Sequence, residues 1–260
     1  MIIEPKREIL LGPLMRIGLM RCWAARDHFI RLAVVPLAAM VAVLVPLQTM
    51  AIDMMMTATG EAGAEAGPDL SLQFLLLGLC YAAAVNVFAV NWLRQLTLGR
   101  TAVPGLGLSL TGRHLRFLVM IIAISFVTGL AGMVLALVLG TLGMAGVMAA
   151  LMIGLLLWAA LLARLSPSWI GIAIDAPMPF GTAWRRTTGQ SYKLVIAMLA
   201  VEVPLALSQQ IIEGVFRMTG LIDAAPLTFT LIVAATQLIG VAVQLSILVS
   251  AYPHFLRETV

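Results

Sequence analysis

Charge is scarce in this chain. Asp, Glu, Lys and Arg make up 11% of its 260 residues, where a soluble domain carries about 25%. So few charges cannot solvate an ordinary protein surface, and a water-soluble globule is excluded. Cysteine is scarce too, with Cys22 and Cys80 alone. The first lies in a basic leader and the second inside an apolar run, so they are not expected to meet. No Cys/His metal spacing exists. His28, His114 and His254 are read at the edges of apolar runs, not where a span could ligate a macrocycle. Catalytic signatures are missing as well: no H-E-x-x-H, G-x-S-x-G, Walker or Rossmann pattern occurs. Gly105-x-Gly107 is too short for a phosphate loop. No nucleophile is placed with a base, and no two carboxylates share one depth, as an intramembrane enzyme would need. Neither catalytic residues, a metal nor a cofactor is expected.

What the chain has is apolar sequence. Hydrophobic residues reach 62%, concentrated in runs near 32–52, 70–93, 117–139, 144–163, 194–212 and 227–252. Each is long enough for a helix across a hydrocarbon core of about 30 Å. Nothing left over approaches the roughly 100 residues of a typical separate domain. The expectation is one all-α, polytopic membrane domain over 1–260. Its six transmembrane helices pair as three hairpins. Charged residues occur through the first thirty positions, so a cleavable signal peptide is not expected.

The basic residues alternate with the runs. Residues 1–31 hold Lys6, Arg7, Arg16, Arg21, Arg26 and Arg31; 94–116 hold Arg94, Arg100, Arg113 and Arg116. Residues 164–193 hold Arg164, Arg185, Arg186 and Lys193, and the tail holds Arg257. The opposite connections, 53–69, 140–143 and 213–226, contain a single basic residue, Arg217. Short Lys/Arg-rich loops stay in the cytoplasm. Both termini are therefore expected on the cytoplasmic side of the membrane. A pI near 9.6 then reflects topology and anionic headgroups, and nucleic acid is not an expected partner.

The basic segments also contain apolar residues, and interfacial cytoplasmic helices are expected from them. The expected lipid-headgroup contacts are Arg16, Arg21, Arg113, Arg116, Arg185, Arg186, Trp169 and Trp184. The stretch 165–174 is apolar but too short to cross, and Asp175-Ala176-Pro177-Met178-Pro179 stops it. It reads as interfacial, with Trp169 at headgroup level, or as a re-entrant piece.

Small residues supply a packing code. Gly132, Ala136 and Gly140 recur every fourth position, as do Gly146, Ala150 and Gly154. Such spacing puts them near one helix face and lets backbones approach closely. A tight antiparallel hairpin of the third and fourth spans is expected. Gly78, Ala82 and Asn86 form a similar stripe in the second span.

Glu202 is the sharpest polar feature. It lies nine residues beyond Lys193, about 13 Å along a helix, and Pro204 follows it. An ionisable residue at such depth is a candidate functional site. It is also a candidate structural group, neutral and bonded to an amide on a neighbouring span. Asn86, Asn91, Gln237 and Gln244 complete a candidate intramembrane polar seam.

One resemblance rests on particular residues. Ala89-Val90-Asn91-Trp92-Leu93-Arg94-Gln95-Leu96-Thr97-Leu98-Gly99 resembles a segment of uncharacterised polytopic proteins of bacterial inner membranes. So do Ile170-Gly171-Ile172-Ala173-Ile174-Asp175 and Ala183-Trp184-Arg185-Arg186-Thr187-Thr188-Gly189-Gln190-Ser191-Tyr192-Lys193-Leu194. That group is similar to the membrane domain fused to some bacterial glycerophosphodiester phosphodiesterases. The resemblance covers about residues 89–195. It implies a six-span, lipid-associated bundle, and no phosphodiesterase activity, because no soluble catalytic domain is present. The resulting expectation is a non-enzymatic organiser of lipid, or a scaffold or accessory subunit working with other membrane subunits or as a homo-oligomer. A small-solute or lipid transporter coupled through Glu202 is the alternative.

Overall fold

The computed structural model describes residues 9–58, 68–103, 105–107 and 110–256. Among these the backbone is helical almost throughout and contains no strand. The helices are α1 (Leu11–Ala24), α2 (Arg26–Ala58), α3 (Pro68–Leu98), α4 (Gly112–Leu139), α5 (Met144–Ala173), α6 (Phe180–Thr187), α7 (Ser191–Met218), α8 (Leu221–Ala224) and α9 (Pro226–Leu256). Six are long and apolar enough to cross a membrane: α2, α3, α4, α5, α7 and α9. Helices dominate because no water is available in hydrocarbon, so every backbone group must be satisfied within its own segment. The chain is an all-helical polytopic membrane protein.

The spans pair as α2 with α3, α4 with α5, and α7 with α9. The last helix is the centre of the bundle. Half of its apolar window is buried within the protein, against 11–28% for the other spans. It packs on α1, α2, α3 and α5 as well as α7. Its sequence permits this. Ala242, Ser246 and Ser250 recur at every fourth position and all are buried. Ser246 donates its hydroxyl to the Ala242 carbonyl at 2.6 Å, and Ser250 to Ser246 at 2.8 Å. Their hydroxyl protons are thereby taken up within the helix, and small side chains face the neighbours.

An aromatic group ties α2, α3 and α9 together. Phe29, Phe88 and Trp92 have ring centroids 5.5–5.9 Å apart. Trp92 is fully buried, and its indole N–H donates to the Ala242 carbonyl at 3.0 Å and to Ser246 Oγ at 3.2 Å. Trp92 is therefore a core residue. At the other end of the bundle Thr230 donates to Gln48 at 3.2 Å, again joining α9 to α2.

The stretch 165–174 is not a separate segment but the end of α5. Residues through Ala173 continue α5 past Pro167, and 166–171 are buried. Pro167 has no N–H for the carbonyl four residues earlier, that of Ala163. The Ser166 hydroxyl donates to that carbonyl instead, at 2.8 Å. Trp169 donates its indole N–H to the Leu162 carbonyl at 3.0 Å and meets Phe117 edge-on at 5.8 Å. At 3% exposure it lies inside the bundle, and its expected headgroup contact is overturned.

The third–fourth span hairpin is close where the glycines require it. A Cβ on Gly146 would lie 1.8 Å from the Leu139 carbonyl oxygen, and one on Gly154 would lie 3.7 Å from the Gly132 Cα. Ala150 is fully buried, and Gly140 faces Val147. Gly132 contributes its backbone only, since its own Cβ direction meets open space, and Ala136 is half-buried. The seam therefore runs through Gly146, Ala150 and Gly154, with α4 supplying a less regular partner surface.

Candidate functional site

Two places concentrate chemistry: the arginine-rich end of the bundle and a cavity among the spans. At the arginine-rich end, α5 finishes in a turn. The N–H of Ala176 donates to the Gly171 carbonyl at 2.8 Å and that of Asp175 to Ile172 at 3.5 Å. This is the Schellman closure, which needs a left-handed residue. Asp175 occupies that position with φ 62°, and a Cβ on Gly171 would sit 2.4 Å from the Ala176 carbonyl oxygen. Asp175 Oδ2 then accepts from Arg94 at 2.7 Å and from Arg113 at 2.8 Å. Arg94 also donates to the Ala173 carbonyl at 3.1 Å. One carboxylate thus joins α3, the start of α4 and the end of α5.

Other arginines are engaged similarly. Arg186 donates to the Phe255 carbonyl at 2.6 Å, holding α6 to the end of α9. Arg164 lies 4.3 Å over the Trp184 ring. Arg113 and Arg186 were expected at lipid headgroups; both are half-buried and engage protein partners, Arg113 the exposed Asp175 carboxylate and Arg186 the Phe255 carbonyl. Trp184 remains 42% exposed. Arg16, Arg21, Arg116 and Arg185 are exposed, and their side chains have no hydrogen bond or ion pair among the described residues.

The leader helix α1 is fixed to the bundle along one edge. Leu14 and Gly18 are buried, and a Cβ on Gly18 would lie 2.7 Å from the Ile247 Cα of α9. Cys22 meets Ser246 on the same helix; burial pushes its thiol pKa up, and that hydrogen bond partly opposes the rise. The other faces of α1 present Arg16 and Arg21 together with Ile17, Leu19, Met20 and Trp23, all exposed.

The cavity has a volume of about 290 Å³ and lies between α3, α4, α5, α7 and α9, with Met40 of α2 at its edge. Its walls are apolar apart from Tyr81, Asn86, Gln237, Gln244 and the indoles of Trp158 and Trp169. Tyr81 donates its hydroxyl to Gln237 Oε1 at 2.5 Å. Asn86 donates its amide to the His114 carbonyl at 2.9 Å. His114 itself, read at the edge of a span, is the third residue of α4 and is buried.

The expected polar seam is thus partly assembled. Asn86, Gln237 and Gln244 share the cavity. Gln244 donates its amide to the Glu202 carboxylate. Glu202, however, is not inside the bundle. The buried face of α7 is Leu194, Ala197, Met198 and Val201, and Glu202 follows Val201 by about 100° of helix rotation. It sits on the exposed side and reaches back to Gln244. Counting helix rise, Glu202, Gln244 and Asn86 are all roughly 16–18 Å from the arginine-rich end. Asn91 does not belong to the seam. It donates to the Gly107 carbonyl at 2.6 Å, and a Cβ on Gly107 would lie 2.8 Å from the Asn91 amide nitrogen. Gly78 faces open space, while Ala82 of the same stripe lines the cavity. Tyr81 was missed. Its signal was available, since a tyrosine mid-span needs a partner for its hydroxyl.

No family model, curated protein or solved structure matches the chain.

Proposed function

We propose that this is a non-enzymatic protein of a bacterial inner membrane, with its arginine-rich end in the cytoplasm. There it gathers anionic lipid beside the bundle as a lipid organiser or as the accessory subunit of a membrane complex. The observation that carries this reading is the placement of α1. The bundle holds one edge of the helix through Leu14 and Gly18, so Arg16 and Arg21 are presented with exposed apolar neighbours. A helix lying in the headgroup layer has this composition, with apolar side chains inserted and guanidinium groups at the phosphates. Arg116 and Arg185 extend the unengaged positive surface.

The test is reconstitution in nanodiscs containing either anionic or zwitterionic lipid, followed by native mass spectrometry. The Arg16→Gln/Arg21→Gln variant should retain fewer anionic lipids, each basic residue near a charged surface contributing about 1 kcal/mol. Unchanged retention rejects the reading. Orientation is tested separately in intact cells. A cysteine replacing Glu65 should react with an impermeant reagent, and one replacing Arg185 should not.

A transporter coupled through Glu202 is the second reading. It is favoured by one observation, the Gln244 bridge between the Glu202 carboxylate and the cavity wall.

A further inference from the structure

We propose that the exposed side of α7 is an interface between two copies of this chain, joined at mid-depth through Glu202 and Gln244. This surface lies away from the arginine-rich rim and stands or falls independently of the headgroup reading. Of the six spans α7 is the least buried, with 11% of its apolar window covered. Ionisable residues within a membrane nearly always face the bundle interior or a water-filled cavity. Glu202 is exposed and is not part of the cavity wall. Gln244 donates to one of its oxygens. The other carboxylate oxygen, and the remaining N–H and the oxygen of the Gln244 amide, have no partner among the described residues. Acyl chains cannot supply one.

The rest of the helix agrees. At about 100° per residue, Glu202, Ala206, Gln209, Gln210 and Glu213 fall within an arc of roughly 100°. Val203, Leu207, Ile211 and Met218, all exposed, lie beyond it. Gln209 and Gln210 make no side-chain hydrogen bond among the described residues. Lipid is alike on every side, so it gives polar residues no reason to gather on one arc; a second protein surface does. The chemistry of the arc selects that surface. The Lys/Arg asymmetry inserts every copy the same way, so two copies meet about a two-fold axis along the membrane normal. Like residues then meet at like depth. Glu202 and Gln244 share one depth, roughly 16–18 Å from the arginine-rich end, so a second copy brings an identical acid–amide pair level with the first. A carboxamide both donates and accepts. Each Gln244 can therefore bond its own Glu202 and that of the other copy, and the arc complements itself. Ala206, one turn beyond Glu202, is small enough to let the backbones approach.

The test uses the full chain in phosphatidylcholine vesicles, with Cys22→Ser and Cys80→Ser so that single cysteines can be placed. Under a membrane-permeant oxidant Ala206→Cys should cross-link to a dimer. Leu207→Cys, about 100° further round the helix on the apolar arc, should not. Energy transfer between copies labelled at a cysteine replacing Thr219 should rise with the protein-to-lipid ratio and saturate at two copies. Glu202→Leu should weaken that association on the order of tenfold, the loss of the hydrogen bonds across the axis. Glu202→Gln keeps a group for Gln244 to bond and should associate like the parent. A cooperative melt shows that each variant is folded, and if the Leu variant is not, the cross-linking pair decides. A parent that stays monomeric at every protein-to-lipid ratio, Leu207→Cys cross-linking as readily as Ala206→Cys, or full association of a folded Glu202→Leu protein would each overturn the proposal.

Discussion

Asp175 and Arg94 meet at 2.7 Å across 81 residues of sequence. Asp175 is at once the left-handed residue that ends α5 and the carboxylate that anchors α3 and, through Arg113, α4. These two roles separate by substitution. Asn tolerates the left-handed turn but lacks the charge; Ala lacks both. The Asp175 side chain is 54% exposed, so the ion pairs are screened, and Asp175→Asn should cost less than about 1 kcal/mol. Asp175→Ala should cost about 1 kcal/mol more, because alanine lacks the short polar side chain whose local hydrogen bonding lets Asp and Asn adopt the left-handed conformation. Unfolding of both variants in detergent measures the difference. Equal losses would show that the turn places no demand on this residue.

The repair of the proline break predicts a coupled pair. Ser166→Ala leaves the Ala163 carbonyl without its 2.8 Å donor and should destabilise by about 1–3 kcal/mol. Adding Pro167→Ala returns a backbone N–H to that carbonyl. The double variant should recover most of the loss, a non-additivity readable in a mutant cycle. Additive effects would mean that the hydroxyl does not substitute for the missing amide.

The two hairpin glycines should behave differently. An alanine at position 146 would place its Cβ 1.8 Å from the Leu139 carbonyl oxygen, whereas one at 154 would make an ordinary contact at 3.7 Å. Gly146→Ala should lower stability by about 1–3 kcal/mol through forced backbone movement. Gly154→Ala should stay within about 0.5 kcal/mol. Thermal melting in detergent compares them, and matching melts would place the close approach elsewhere.

Glu202 is tested by what Gln can and cannot replace. Gln keeps the shape and an amide oxygen for Gln244, but it carries no proton to exchange. Glu202→Gln should melt like the parent. Glu202→Leu should lose roughly 1 kcal/mol as the Gln244 amide goes unanswered at mid-depth. A Gln variant that is stable yet loses pH-dependent ligand binding or flux would move the weight of the argument to a transporter.

Several features were legible in the residues themselves. Six apolar runs imply six helices because hydrocarbon leaves the backbone no other partner. The hairpin of the third and fourth spans was legible from Gly146, Ala150 and Gly154, because small residues at a spacing of four fall near one face. The seam itself was only partly legible. Periodicity assigns a residue to a face of its own helix and says nothing of what stands opposite. Glu202 was therefore expected inward and lies one residue round from the buried face of α7. Asn91 was grouped with Asn86, yet the two point to different partners.

Local sequence determined where this chain crosses the membrane, because hydrophobicity and length act within a single segment. Tertiary structure decided what its polar groups do there. Pro167 reads as an interruption until Ser166 is seen to answer the Ala163 carbonyl. Trp169 reads as interfacial until Phe117 is found against it. Arg113 and Arg186 read as lipid contacts until Asp175 and the Phe255 carbonyl take them. A donor's role depends on which acceptor lies within about 3 Å, and only the packing of distant segments sets that distance.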